Sequence, residues 1–467
     1  MGDNFQENPF AIFRGMFNVE GEARHKLSRI KRFLERWSGD DNFQKGILDG
    51  STSLLEAQKI CGCEIDLHSL LPVFHPSYTK FRREASESDW PLTALWDSHL
   101  TSGFRARSGL AIHGSSQGVT PMFDIWRRRN MNRASLQLGL SASGITHPPV
   151  AFELSSGCSV GCWFCGVSAE KFKGHASLEN GGRQQWREIL ESFKAYLGDG
   201  LQCSFCYWAT DPLDNPEYLG FLDIFEEVTG VLPQTTTAIP LRNVELTRNV
   251  LKRWEKERSV PNRFSVITKR ALLEIHETFT PDELFGVELV IQINSIGGTT
   301  KFTSGRNFQR ISVKKEKSEE GTISCVSGYL VNLVEKSIRV ISPTLPSPTY
   351  PNGYITFASD NFDDASDVRD VIARLNELVM RPSLVGNSPL AITRGGECDF
   401  GRAPEVVKFR DVEVENENLL VLGGMLAKGN LSPNEIVQSA IGSGMPPMKA
   451  VMAMEQMWHE GILSQVS

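Results

Sequence analysis

The sequence predicts an α/β protein, a full or partial β/α barrel between two helical extensions. Three observations predict it. From about residue 148, short apolar runs alternate with helix-periodic stretches, the pattern of a parallel sheet with right-handed crossovers. Before that point, and again from 412, the periodicity is mainly helical. A cluster of cysteines directly follows the first predicted strand, and barrels of this kind place their chemistry at the C-terminal ends of strands.

Taken in order, residues 22–60 read as helical: Leu27, Ile30, Leu34 and Trp37 recur at helical spacing, and Leu54, Leu55 and Gln58 begin a second run. Gly62 in Cys61-Gly62-Cys63 is placed to end that helix. Cys61 and Cys63 are a poor chelating pair and read as semi-buried thiols. Gly114-Ser115-Ser116-Gln117-Gly118 matches G-x-S-x-G, but the motif needs a strand before it and a helix straight after. Only Leu110-Ala111-Ile112 precedes it, and Pro121 follows soon, so a flexible loop is expected. Trp126-Arg127-Arg128-Arg129, with Arg133, is a basic helical stretch, expected to be a solvated face.

The strands expected next are Val150–Leu154, Leu201–Ala209, Gln234–Leu241, Arg263–Thr268 and Val287–Asn294. The helices expected between them are 183–197, Tyr218–Val228, Val244–Lys256 and Ala271–Phe279. After 300 the alternation stops. Lys314–Glu320 reads as a charged turn, and Ile323–Leu333 with Ser337–Ile341 as an antiparallel hairpin around Val334-Glu335-Lys336. A Pro-rich connector, 343–351, precedes a helix over 363–380. The tail from 412 resembles a small helix-turn-helix or winged-helix unit. The domains expected are 1–147, helical; 148–300, the β/α core; 301–411, its completion; and 412–467, helical.

Composition bounds the function. The 467 residues allow about two to four domains. With 40% apolar and 22% charged residues, wholesale disorder is excluded. Lys plus Arg is 49 against 56 for Asp plus Glu, a net charge of -7, which disfavours nucleic-acid binding as the main task. No run reaches the ~18 apolar residues of a membrane helix. The N-terminus, MGDNFQENPF, lacks a signal pattern, so a cytoplasmic place is expected. The nine cysteines are odd in number and argue against a disulfide scaffold. Clustered cysteines in a reducing compartment read instead as metal-binding or catalytic.

The sharpest signal is Cys158-Ser159-Val160-Gly161-Cys162-Trp163-Phe164-Cys165, a C-x3-C-x2-C loop. Three thiolates on one loop suit three irons of a cubane cluster, which is normally held by four thiolates, so one iron stays open to another ligand. Gly157 and Gly161 let the backbone wrap closely, and Phe164 is placed to pack beside a ligand. Zinc is the alternative, completed by Cys203-x2-Cys206 or His175. Three residues apart on an expected strand, Cys203 and Cys206 point to opposite faces, which is poor geometry for one metal.

This loop, placed after the first strand of a β/α repeat, resembles the signature of radical S-adenosylmethionine (SAM) enzymes. Glu153-Leu154-Ser155-Ser156-Gly157 before it and Gly166-Val167-Ser168 after it are similar to maturases of ribosomal peptides, in particular proteusin-type (PoyD-like) peptide epimerases. Tyr207-Trp208-Ala209-Thr210-Asp211-Pro212, Cys325-Val326-Ser327-Gly328-Tyr329 and Gly395-Gly396-Glu397-Cys398 fit the same group. The resemblance spans about 25 to 467. It implies a partial (β/α)6 TIM-type barrel of the radical SAM kind, with one [4Fe-4S] cluster on Cys158, Cys162 and Cys165 and SAM on the open iron.

The implied reaction turns L- into D-residues of a precursor peptide. A 5′-deoxyadenosyl radical takes the α-hydrogen, and a cysteine thiol returns one from the opposite face. The donor lies outside the cluster and late in the chain. Cys398, in the Gly-rich stretch Arg394–Gly401, is the first candidate and Cys325 the second. The family's second strand usually ends in a Gly-Gly-Glu-like string that meets the methionine amino group. Here it ends Ala209-Thr210-Asp211, with Asp211 as the charge partner. Ser265, Thr268 and Asn294 are candidates for ribose, carboxylate or adenine, and each is equally a candidate helix cap.

The implied partners are the precursor peptide, gripped by the helical ends, and a flavodoxin- or ferredoxin-type electron donor, with no nucleic acid and no membrane. A crosslinking or methylating maturase is the alternative within the same class; a crosslinker would be marked by extra cluster cysteines, and they are lacking. A zinc-binding adaptor without catalysis is the reading of another class.

Overall fold

The computed structural model describes residues 7–84, 87–299, 301–308, 310, 319–399 and 402–465. Of the expected turn at Lys314–Glu320, residues 314–318 lie outside the described residues.

Among the described residues seven α-helices come first: α1 (Pro9–Phe17), α2 (Gly21–Gly39), α3 (Asp41–Leu48), α4 (Leu54–Cys61), α5 (Leu71–Phe74), α6 (Pro91–His113) and α7 (Pro121–Leu138). The helical stripe of α2 is what folds this region: Ile30, Phe33 and Trp37 pack on Phe43, Leu70 and Phe74 in a core of their own. Ser53 and Glu56 form a capping box at the start of α4, and Gly62 ends it at φ 60°, as its position predicts. Cys61 and Cys63 are buried in that core. The G-x-S-x-G loop follows a helix, not a strand. Ser116 is fully buried and fixed, its Oγ donating to Asp124 Oδ2 at 2.8 Å, so it is neither a flexible loop nor an exposed nucleophile.

The basic stretch on α7 is the clearest departure from expectation. Arg127, Arg129 and Arg133 are buried, and only Arg128 of the four is exposed. Arg127 donates to Ala111 O at 2.8 Å and to His147 O. Arg133 donates to Asn130, Gln137 and Ser342 side chains and to Pro343 O, all within 3.1 Å. Distant strands pack over α7, and guanidinium donors satisfy carbonyls that the packing would otherwise orphan.

The central elements are β1 (Val150–Glu153), β2 (Ser155–Ser156), β3 (Gly174–His175), α8 (Gly182–Leu197), α9 (Tyr218–Thr229), β4 (Thr236–Thr237), α10 (Val244–Glu257), β5 (Asn262–Val266), α11 (Lys269–Thr278) and β6 (Val287–Ile291). The helices fall where the periodicity places them. Strands β4, β5 and β6 run parallel in that order. The stretch Leu201–Ala209 is not the continuous strand expected. Gly198–Cys203 winds as a 3₁₀ turn, and only Phe205 pairs, in a parallel bridge to Ala151. A Cβ on Gly200 would lie 2.1 Å from Ser115 O, so this approach needs glycine and takes the chain out of the sheet. Side chains make the link onward: Tyr207 Oη donates to Gln234 Oε1 at 2.9 Å and accepts from Thr236 Oγ1 at 2.7 Å. Gln234–Leu241 is likewise shortened to β4, because Asp211 takes the Ala238 N–H at 2.7 Å.

β7 (Gly328–Asn332) and β8 (Ser337–Pro343) form the expected hairpin, and β9 (Tyr354–Asn361) adds a third strand. Unexpectedly, β7 also pairs in parallel with β1. The described strands do not close into a barrel. α12 (Val368–Val379) covers the sheet.

The C-terminal elements are β10 (Leu390–Ile392), β11 (Gly396–Asp399), β12 (Ala403–Phe409), β13 (Val412–Glu415), α13 (Leu419–Leu426), α14 (Pro433–Gly442), α15 (Pro447–His459) and β14 (Leu463–Gln465). β11, β12 and β13 form an antiparallel sheet under the three helices, with Val407, Phe409, Leu422, Ile436 and Met457 in the shared core. That unit therefore begins before 412. No described helix is long and apolar enough to cross a membrane.

Candidate functional site

The loop at 157–173 is tied at its base. β2 and β3 pair antiparallel, Lys173 N donates to Ser156 O at 2.9 Å, and Cys158 N donates to Glu170 O at 2.9 Å. Gly157 turns there at φ 74°, where a Cβ would lie 2.2 Å from Lys171 O; only glycine passes. Gly161 takes φ 66° between the first two cysteines.

Cys158, Cys162 and Cys165 are free thiols, each half-buried. They are within electrostatic reach of one another. Burial pushes the Cys158 thiol up, with Asp211, Asp214 and Cys165 adding to it. Burial, then Cys165 and Cys158, pushes Cys162 up to about 11. The Ala169 N–H donates to Cys165 Sγ at 3.3 Å. Among the described residues no three His, Cys, Asp or Glu side chains gather around a single ion. A cubane asks for something else, one thiolate per iron, and three half-buried thiols on one wrapped loop with an N–H aimed at sulfur suit that group.

Two residues that the sequence reading missed hold this loop, and a third, Glu153, fixes the end of the strand before it. Asp214 accepts from Ser159 N at 2.9 Å and from Ser159 Oγ, and pairs with Arg242 at 2.7 Å. Arg306 Nη1 donates to Cys162 O at 2.7 Å, and its backbone N–H to Cys165 O at 2.9 Å. Glu153, at the end of β1, is buried. It accepts from Ala209 N at 2.9 Å and Asn332 Nδ2 at 3.0 Å, so one carboxylate ties the ends of β1 and β7 to the segment that follows Phe205. Burial holds its carboxyl above the usual range. A single acidic residue closing an otherwise apolar strand is the signal that marks Glu153 in the sequence.

The other candidates divide. Phe164 packs edge-on to Trp163, with Lys301 Nζ 5.3 Å from its ring centre. Asp211 lies beside the loop, buried, its pKa pushed up to about 6 by that burial. It accepts from Leu213 N, Thr237 Oγ1 and Ala238 N. Ala209 and Thr210 precede it, half-buried. Ser265 is half-buried on β5. Thr268 caps α11, accepting from Ala271 N at 3.1 Å. Asn294 is exposed just past β6. Cys398 is not on a flexible turn: it sits on edge strand β11, opposite Val407, half-buried against the C-terminal core, with a bulge after it. Cys206 is buried in the main core, and Cys203 ends the 3₁₀ turn. With Cys203 off any strand, the alternation argument for opposite faces does not apply to the pair. His175 is exposed on β3.

The fold and site define an α/β protein with a three-cysteine loop directly after its first strand. No family model and no solved structure matches the chain. The uncharacterized protein y4wI of Sinorhizobium fredii (strain NBRC 101917 / NGR234) is 33% identical over 463 residues, covering 97% of this chain and 90% of that one. The chain belongs to the same family as y4wI.

Proposed function

We propose that the protein is a radical SAM peptide epimerase, converting L- to D-residues in a ribosomally made precursor, built on a partial (β/α)6 barrel. The observation that carries the reading is the loop of Cys158, Cys162 and Cys165, three half-buried free thiols directly after β1. In this reading they hold one [4Fe-4S] cluster, which with bound SAM supplies the radical that removes a substrate α-hydrogen.

The chain's own residues do the rest. Gly157 and Gly161 shape the loop, and Asp214 and Arg306 brace it. Phe164, Ala209, Thr210 and Asp211 line its neighbourhood, while Ser265, Thr268 and Asn294 border the ends of β5 and β6. Cys398 returns hydrogen to the opposite face. Its S–H bond breaks and a C–H bond forms. One electron, from a flavodoxin- or ferredoxin-type donor, and one proton from water restore the thiol. β11 is an edge strand, and an unpaired strand edge accepts an extended peptide alongside it, which would bring a substrate backbone to Cys398. The helical N-terminal and C-terminal regions grip the precursor, and the place of work is the cytoplasm.

The test is co-expression with a precursor peptide in deuterated water, then mass spectrometry and chiral amino-acid analysis. Each inverted residue should gain one deuterium, and Cys398→Ala should abolish the gain while Cys325→Ala keeps it. Loss of two hydrogens or gain of a methyl group would replace epimerisation with crosslinking or methylation. A colourless protein with stoichiometric zinc would overturn the reading altogether.

A further inference from the structure

A cavity of about 270 Å³ opens among the residues that lead into several of the strands. Its walls are the approaches to the strands: Pro148 before β1, Ser204 and Phe205, Gln234 before β4, Arg263 in β5, and Cys325 before β7. Ile323 in its wall also presses on Gly166, the residue after Cys165.

Among the described lining residues only Arg107 and Arg263 are charged, and both are cations. They share one carboxylate. Arg263 Nε donates to Glu288 Oε2 at 3.0 Å, and Arg107 Nη2 pairs with Glu288 Oε1. Two cations on one anion leave an excess positive charge at the cavity wall. Burial and the neighbouring Arg263 hold Arg107 down to about 10. The terminal nitrogens of Arg263 make no hydrogen bond to any described residue. The Ser204 hydroxyl, on a residue 3% exposed, is buried in this wall with no partner. Buried polar groups are almost always paired, so an unpaired one beside surplus cations marks a place for an acceptor. Tyr207 and Gln234 are already spent on each other. Phe205, Leu110 and Phe302 add an apolar wall, beside the neutral polar side chains of Thr146, Gln202 and Thr322.

We propose that this cavity is a binding site for a small aliphatic carboxylate. Its oxygens meet the Arg263 and Arg107 guanidiniums and the Ser204 hydroxyl, and its carbon chain lies on Phe205. The space lies below the roughly 300–1,000 Å³ of drug-sized pockets, which suits a short acid or an acidic side chain and not a nucleotide. The carboxylate belongs either to a free organic acid or to a Glu or Asp residue of a bound peptide. The proposal stands apart from the radical SAM reading, since binding needs no reaction.

The experiment is calorimetric titration of the full chain with glutarate, with the end-blocked tripeptide acetyl-Ala-Glu-Ala-amide, and with neutral glutaramide. Binding of glutarate or of the tripeptide is expected, weakened at least tenfold in Arg263→Gln and several-fold in Ser204→Ala. Glutarate alone identifies a free acid as the source, and the tripeptide alone a peptide side chain. Arg263→Gln leaves Arg107 and Glu288 as a balanced pair, and Ser204→Ala reads the same site where the first variant fails to fold. Binding of neither probe overturns the proposal. So does glutaramide binding as tightly as glutarate, or unchanged affinity in the variants.

Discussion

The cysteine loop and helix α7 are both short strings of one reactive residue type, and the fold treats them oppositely. Cys158, Cys162 and Cys165 stay half-buried, on a loop braced by side chains. Arg127, Arg129 and Arg133 are drawn into the interior and spent on carbonyls. The difference lies in what packs over each string. The loop is closed locally by β2 and β3, within about twenty residues of chain. α7 is covered by β8 and α15, more than 200 residues away. Spacing in sequence reports the first kind of environment and is silent on the second.

The comparison breaks most visibly at Cys162. Cys162→Ala should abolish any iron and sulfide in the purified protein and any product in the deuterium assay. Its thermal stability in the metal-free state should stay within about 1 kcal/mol of the parent, since no packed core is lost. A metal-free variant that fails to fold would place the loop with α7 as a structural string.

Arg133→Met should show the reverse. It strips donors from Gln137, Ser342 and Pro343 in the interior and should cost about 2–4 kcal/mol. Metal content of the folded fraction should be unchanged. Denaturant unfolding followed by tryptophan fluorescence reads it, and a cost under about 1 kcal/mol would show that water replaces the guanidinium.

His147 sharpens the point with pH. It is buried, its Nδ1 lies 2.8 Å from Ser327 Oγ, and burial, then Arg127 and Arg133, holds its pKa down to about 3. The folded value lies below the ordinary ~6.5, so the unfolded chain binds the extra proton between the two. Stability is therefore full above about pH 6.5 and falls as pH drops toward 3, with a slope of up to about 1.4 kcal/mol per pH unit. His147→Asn should remove that contribution from the pH dependence; asparagine tolerates the left-handed backbone there, at φ 48°. An identical slope in the variant would mean that His147 titrates normally.

These cases show which parts of the molecule were legible. Helices α8, α9, α10 and α11 were read within a few residues because each buries an apolar stripe of helical period, whereas the helical stretch read at 22–60 divides into α2, α3 and α4. The cysteine loop was read because its spacing is local. The segments at 201–209 and 234–241 look extended by composition. Their polar side chains bond across the gap instead, Tyr207 to Gln234 and Asp211 to Ala238, and little ladder forms. The pairing of β1 with β7 joins residues about 180 apart, beyond any local pattern. The strands at 396–415 were missed although Val412-Glu413-Val414-Glu415 alternates with period two. Their partly exposed faces carry too few large apolar residues to stand out.

The smallest effect isolates burial from residue type. Arg128 stands between Arg127 and Arg129, on the same helix, and is exposed. Arg128→Ala should change stability by no more than about 0.5 kcal/mol, as surface substitutions do. Arg129 lies 3.6 Å from the centre of the Trp458 ring on α15 and donates to Arg381 O at 3.2 Å. Arg129→Lys keeps the charge but gives up the flat stacked guanidinium, and should cost about 1–2 kcal/mol. Measured together by denaturant unfolding, the two neighbours should therefore differ although their local sequence is nearly the same. Equal costs would mean that the stacking of Arg129 on Trp458 contributes nothing, and that the C-terminal unit is held to α7 through Asn132, Leu136 and Gln137 instead.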